Sequence, residues 1–161
     1  MRGYLPKNML YTEEQEQLIN RAFEYATEAH KGQVDDNGDA YIAHPVAVAN
    51  ILMCVSNDAN LIAAAALHDT IEDTKVKYED LVTEFGKDIA DLVYEVTHEG
   101  NNVTGYYFPR LKTQRGIMLK FADRLHNLSR MEPWNSERIA HYLKKSKFWN
   151  DESPLKGGDN L

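Results

Sequence analysis

"AAAALHDTIEDT", residues 63–74, carries four alanines and a leucine into His68, Asp69, Glu72 and Asp73. The longer run "ANLIAAAALHD" is apolar around most of a helical circumference. That predicts a central, buried helix. An imidazole and three carboxylates then fall within six positions at its end. A fold that buries this helix must surround it with others, and the rest of the chain supplies them.

Apolar residues recur with helical spacing nearly everywhere. Thr12 is placed to N-cap a helix, with Glu13, Glu14 and Glu16 at its positive end. Leu18, Ala22, Tyr25, Ala26 and Ala29 give it one apolar face, and Gly32 ends it. Residues 33–43, "QVDDNGDAYIA", read as a polar loop with a turn at Asn37-Gly38. A second helix restarts near His44-Pro45 and runs through Val48, Ile51, Leu52 and Val55, and Asp58 caps the alanine-rich helix. "KYEDLVTEFG" is a short helix stopped by Gly86. "KDIADLVYEVTHE" follows, with Ile89, Leu92, Val93 and Val96 on one face. "GNNVTGYYFP" is a loop. A long helix over 110–130 turns Leu111, Met118, Phe121, Ala122, Leu125 and Leu128 inward, and Pro133 breaks the pattern. A last helix is expected over 135–148, with a disordered tail over 151–161. No segment alternates as a strand does, and no internal repeat is present. The expected fold class is all-α, with residues 1–150 as one domain.

The 161 residues carry a net charge of −7, which argues against a general nucleic-acid binder. The charge is uneven: residues 1–100 hold 7 Lys/Arg against 19 Asp/Glu, and residues 101–161 hold 11 against 6. The acidic part suits a metal and the basic part a phosphate. The single cysteine, Cys54, excludes an intramolecular disulfide and a cysteine-based zinc cluster. The start, "MRGYLPKNMLYTEEQ", has no apolar signal region, and no run approaches a membrane span. A cytoplasmic protein is expected.

Four metal-ligand types fall on three of the expected helices: His44 on one, the His68-Asp69 pair on the buried one, and Asp123 in "LKFADRLHNL" on the long one. Adjacent helical residues are about 100° apart, so His68 and Asp69 can flank one ion. Imidazole with carboxylates and no thiolate suits Mn, Fe, Zn or Mg. Buried without a cation, Asp69 and Asp123 would cost several kcal/mol. Glu72 and Asp73 follow one turn later, where a carboxylate can hold or deprotonate a water at the metal. Lys112, Arg115 and Lys120, on the helix leading to Asp123, can draw phosphate into a cleft.

"GDAYIAHPVAVANIL", "AAALHDTIEDT", "FGKDIADLVYEVT" and "LKFADRLHNL" together resemble, in order and spacing, the motifs of the RelA/SpoT-type HD hydrolase domain. The resemblance covers about residues 14–130. Its nearest architecture is the single-domain small alarmone hydrolase. It implies an all-α HD-domain bundle with a metal site between helices. It also implies a Mn²⁺-dependent removal of the 3′-pyrophosphate from (p)ppGpp, giving GDP or GTP and pyrophosphate. By motif, His44, His68, Asp69 and Asp123 resemble the manganese ligands, and Glu72 and Asp73 the acid pair that activates water. Arg124 and Asn127 resemble residues near the substrate, with Asn127 towards the nucleotide and Arg124 towards carboxylates or phosphate.

Two departures from that family bear on the substrate. The loop before "YIAHP" reads Val34-Asp35-Asp36-Asn37-Gly38-Asp39, where the family usually carries a basic pair. Acids there repel a polyphosphate and cannot stack on a purine as arginine does. The segment before "LKFADR" is also short, and Tyr106, Tyr107 and Phe108 offer either a pocket wall or ordinary core. Three readings stay open. The first is hydrolysis of (p)ppGpp, and the second an HD phosphohydrolase acting on ppApp, an NADPH 2′-phosphate or a nucleoside monophosphate. The third is a catalytically idle binding domain. The expected partner is a small nucleotide; nucleic acid and membrane are not expected, and homo-oligomerisation is left open.

Overall fold

The computed structural model describes residues 11–34, 38, 41–99, 108–109 and 111–129. Helix α1 (Glu13–Ala29) starts as expected: Thr12 accepts from the Gln15 amide and Gln15 reaches back to Thr12. Helix α2 (Ala43–Met53) begins one residue before His44. Helix α3 (Ala59–Leu67) is capped by Asp58, whose carboxylate takes the Asn60 and Leu61 amides at 3.1 and 3.3 Å. Helices α4 (Thr70–Asp73), α5 (Tyr78–Phe85) and α6 (Lys87–Val96) follow. Two-residue strands β1 (His98–Glu99) and β2 (Phe108–Pro109) precede α7 (Gln114–Leu128).

Helix α3 is the centre of the fold. Every residue of it except Asn60 is buried, and α1, α2, α6 and α7 all pack against it. Ala63 to Ala66 are fully buried, and side chains this small let four helices approach one axis. Phe23, Ile19, Ile62, Leu67, Leu81 and Leu119 fill the space between. On α1 the core face is Ile19, Ala22, Phe23 and Ala26, with Leu18 and Tyr25 at its margin. Gly86 ends α5 and opens α6 at φ +89°, a left-handed conformation in which a side chain would be strained.

The structure differs from the sequence expectation in three places. The alanine-rich helix does not continue through His68-Asp69: α3 ends at Leu67, and Asp69 has φ −99° and ψ 0°. The reason is local. Thr70 Oγ1 donates to the Leu67 carbonyl at 2.7 Å, and His68 Nδ1 bonds the Ala65 carbonyl at 2.7 Å. Side chains thus take acceptors that a continuing helix would use.

The second difference is at α7. It begins at Gln114 rather than near 110, because Thr113 caps it and Glu95 fixes Thr113. Its inner face carries Ile117, Leu119, Lys120, Ala122, Asp123 and Arg124, while Phe121 and Leu125 are exposed. Polar Lys120, Asp123 and Arg124 therefore lie on the buried face in place of the expected Phe121 and Leu125. Third, α6 stops at Val96, and β1 and β2 pair antiparallel, His98 opposite Pro109, where helix was expected over 98–99 and loop over 108–109. Strands this short leave the class all-α. The expected helix over 135–148, the tail, the Asp35-Asp36 loop and the side chains of Tyr106, Tyr107 and Phe108 lie outside the described residues.

Candidate metal centre and acid pair

Three helix ends and one helix middle meet at the C-terminal end of α3. The first turn of α2 brings His44, the α3–α4 break brings His68 and Asp69, and the middle of α7 brings Asp123. His44 Nε2 lies 2.8 Å from Asp123 Oδ1 and 3.8 Å from Asp69 Oδ2. His68 Nε2 lies 3.1 Å from Asp69 Oδ2 and 3.4 Å from Asp123 Oδ1. Ligand atoms of His44, His68 and Asp123 are all within 4.8 Å of one another, and so are those of Asp69, Glu72 and Asp73. Asp69 joins the two groups.

The orientation of each ring is fixed from behind. A carbonyl only accepts, so His68 donates from Nδ1 to Ala65 and turns Nε2 to the carboxylates. That Nε2 is buried and has no hydrogen-bond partner among the described residues, with carboxylate oxygens of Asp69 and Asp123 at 3.1 and 3.4 Å. A buried nitrogen with two carboxylates and a second imidazole beside it is a fitting donor set for a divalent cation. Behind His44, Nδ1 meets His126 Nδ1 at 2.7 Å. Asp123 is held by Lys120 Nζ at 3.3 Å and Asn127 Nδ2 at 3.2 Å. The Tyr41 hydroxyl donates to Asp69, and the Tyr41 ring stacks on His30 with centroids 4.3 Å apart. Such outer contacts set the aim and basicity of ligands.

Charge follows this geometry. Burial opposes an ionised Asp123, but Lys120 and the histidines outweigh it and hold the carboxyl well below the usual range. Burial likewise opposes a charged His68, and Asp69 with Asp123 overcomes it, lifting the ring well above its ordinary value. The metal-free centre therefore attracts a proton where a cation would sit.

The acid pair is split by its surroundings. Glu72 Oε1 accepts from the His98 backbone amide at 2.9 Å and lies 2.8 Å from His98 Nδ1. Those bonds outweigh burial and lower its pKa. Among the described residues Asp73 has no such donor: burial, then the charges of Asp69 and Glu72, push it up to about 7. Asp73 also faces a cleft of about 520 Å³, lined with Gln33, Thr74, Lys75 and Asp80 among others.

The remaining basic residues divide. Arg124 is buried and its Nη2 lies 3.1 Å from His98 Nε2, so it stands beside the acid pair. Arg115 does not reach it. Its Nε bonds Asp58 at 2.8 Å and its terminal nitrogens bond Asp88 at 3.0 Å, at the opposite end of α3. Arg115 precedes Asp123 by eight residues, about 12 Å along a helix. Lys112 lines, with Arg115, a separate cavity of about 610 Å³ between α5, α6 and the start of α7. Neither was placed there by spacing, since a helix register says nothing of Asp58 or Asp88. Sequence reasoning also missed Tyr41, His98 and His126. Tyr41 and His126 each lie three residues from an expected ligand inside a quoted motif, and that spacing was the available signal.

A protein-family model described as an HD domain matches residues 22–103. The chain belongs to the HD-domain family. The matched stretch takes this HD domain from α1 through β1, His44, His68, Asp69 and the acid pair included. A probable guanosine-3′,5′-bis(diphosphate) 3′-pyrophosphohydrolase of Synechocystis is 36% identical over 142 residues, 81% of this chain and 19% of the relative. The bifunctional (p)ppGpp synthase/hydrolase SpoT of Escherichia coli K12 is 36% identical over 152 residues, 85% of this chain and 21% of the relative. The chain thus spans about a fifth of the length of these curated relatives. A solved structure matches far more evenly: it covers 85% of this chain and 84% of its own, at 28% identity and a TM-score of 0.67. It is described as a metazoan ortholog of SpoT that hydrolyzes ppGpp and plays a role in starvation responses.

Proposed function

We propose that this HD domain is a cytoplasmic, divalent-metal-dependent pyrophosphohydrolase. It would remove the 3′-pyrophosphate from a (p)ppGpp-type nucleotide, leaving GDP or GTP and pyrophosphate. The observation that carries the reading is the unbonded, buried Nε2 of His68 beside His44, Asp69 and Asp123, with an acid pair one short turn away. The even match to a ppGpp-hydrolysing SpoT ortholog supports the substrate class. Residues 1–150 are taken as one hydrolase domain.

His44, His68, Asp69 and Asp123 would hold the metal, with Mn²⁺ the proposed ion. When bound, such an ion supplies Lewis acidity and neutralises charge on phosphoryl oxygens. The chain's own residues would do the rest. Asp73, with a pKa near 7, is suited to take a proton from the attacking water and return one to the departing ribose 3′-oxygen. Glu72, held anionic by His98, orients that water. Water oxygen bonds to the phosphorus nearest the ribose as the bond from that phosphorus to the 3′-oxygen breaks. Lys120 and Arg124 add positive charge beside the reacting phosphates. Asn127, from its place against Asp123, is assigned to the nucleotide side. Lys112 and Arg115 are not given a role in binding, since both line the other cavity.

Hydrolysis of ppGpp, ppApp and NADPH with added Mn²⁺ tests the reading. Pyrophosphate release from ppGpp is expected, with a loss of about 10³-fold or more in Asp69→Ala. The acids at positions 35 and 36 make ppApp and NADPH the necessary comparison, and release of free phosphate without pyrophosphate would transfer the site to another nucleotide.

A further inference from the structure

Glu72 is held by a residue that lies outside the metal group and on the short strand β1. His98 presents two donors to one oxygen: its backbone N–H at 2.9 Å and ring Nδ1 at 2.8 Å from Glu72 Oε1. On the far side of the same ring, Nε2 lies 3.2 Å from Lys120 Nζ and 3.1 Å from Arg124 Nη2. Ammonium and guanidinium groups only donate, so Nε2 must carry a lone pair. The ring proton is therefore on Nδ1, facing Glu72. Lys120 in turn bonds Asp123 Oδ2 at 3.3 Å. One imidazole thus ties the acid pair to the carboxylate on α7. The arrangement is enclosed: the His98 side chain is 10% exposed and that of Glu72 is 27% exposed.

We propose that His98 is a positioning residue, which fixes the Glu72 carboxylate through Nδ1–H while Lys120 and Arg124 hold its Nε2 and so lock the tautomer. This rests on the hydrolase reading above. It also gives the β1–β2 pairing a purpose. The His98 backbone amide is turned to Glu72, and strand pairing with Pro109 fixes the backbone that aims both donors. A carboxylate with two donors on one oxygen keeps its other oxygen directed at a water, and orientation of this kind acts on kcat more than on KM.

Two isosteric variants separate the two faces of the ring. In His98→Asn the amide nitrogen takes the place of Nδ1 and keeps the bond to Glu72. In His98→Gln the amide oxygen takes the place of Nε2, keeping Lys120 and Arg124 satisfied but losing the donor to Glu72. The expected result with Mn²⁺ and ppGpp is a fall in kcat of roughly 10-fold or more for His98→Gln, KM little changed, and a much smaller fall for His98→Asn. In a Glu72→Gln background, His98→Gln should cost nothing further, as residues acting as a unit are not additive. Equal losses in the two variants, or additive losses in the double mutant, overturn the proposal. A readout without catalysis stands beside it: the ring-nitrogen NMR spectrum of metal-free protein should show His98 protonated on Nδ1, and Glu72→Gln should shift that signal. Protonation on Nε2, or no shift, also overturns it. A wild type that cleaves no nucleotide sinks the hydrolase reading and the catalytic role of His98 with it, and the NMR signal distinguishes that failure from the absence of the clamp.

Discussion

His68 and Asp73 show how far single residues depart from their ordinary chemistry when the fold surrounds them. Each was legible as a functional type, because an imidazole and clustered acids at the end of a greasy helix have no use in a plain core. Their protonation was not legible, since it depends on burial and on how the fold turns neighbouring carboxylates and the distant Asp123 towards them. His68 is lifted well above its usual pKa by Asp69 and Asp123 against the cost of burial, which favours a proton on the ring when no metal is bound. Metal binding must expel it. Titration calorimetry with Mn²⁺ in buffers of different ionisation enthalpy should show about one proton released near neutral pH, with affinity weakening as pH falls. Asp73 is pushed from 3.8 up to about 7 by burial and by the charges of Asp69 and Glu72. A raised carboxyl favours the folded state while it is protonated, and that contribution is lost as pH rises through about 7. Metal-free Asp73→Asn should therefore melt a few degrees above wild type near pH 8, and the two should converge towards pH 4. Matching melting curves at the higher pH would show that Asp73 is not strained by its neighbours.

Among the elements, α3 and α6 were readable from periodicity, and the join between α3 and α4 was not. A run of alanine and leucine into His-Asp-Thr favours continued helix on propensity. The Thr70 and His68 side chains win locally by taking two backbone acceptors. The resulting break swings Glu72 and Asp73 onto a separate turn. The start of α7 was misplaced for a similar reason. Glu95, buried on α6, accepts the Lys112 and Thr113 amides and the Thr113 hydroxyl. Gly116 leaves room for it: a β-carbon there would lie 2.0 Å from Glu95 Oε2. Gly116→Ala should thus destabilise the protein by about 1–3 kcal/mol, since Glu95 is pinned by its own bonds and cannot simply move aside. Urea denaturation measures this, and an unchanged midpoint would mean that Glu95 is free to yield.

For the whole molecule, the packing of the helices and the charge of the centre are linked. Four helices close on the alanines of α3, and in doing so they bring Asp69, at the α3–α4 break, up to the buried Asp123 of α7. A cation that binds only this folded arrangement stabilises it by mass action, by about 2.7 kcal/mol at roughly 100 times its Kd. Added Mn²⁺ should raise Tm in wild type, chelator should reverse the gain, and Asp123→Ala should lose it. A Tm indifferent to metal in wild type would remove the basis of the site. The helical class, the central helix, the caps at Thr12 and Asp58 and the chemistry-bearing side chains at the end of α3 were legible without a structure, because periodicity, caps and side-chain chemistry are local. That Arg115 braces Asp58 and Asp88, that Phe121 and Leu125 face outward and that His98 grips Glu72 came from the fold alone. Those outcomes depend on which residues far apart in sequence meet, and packing sets that.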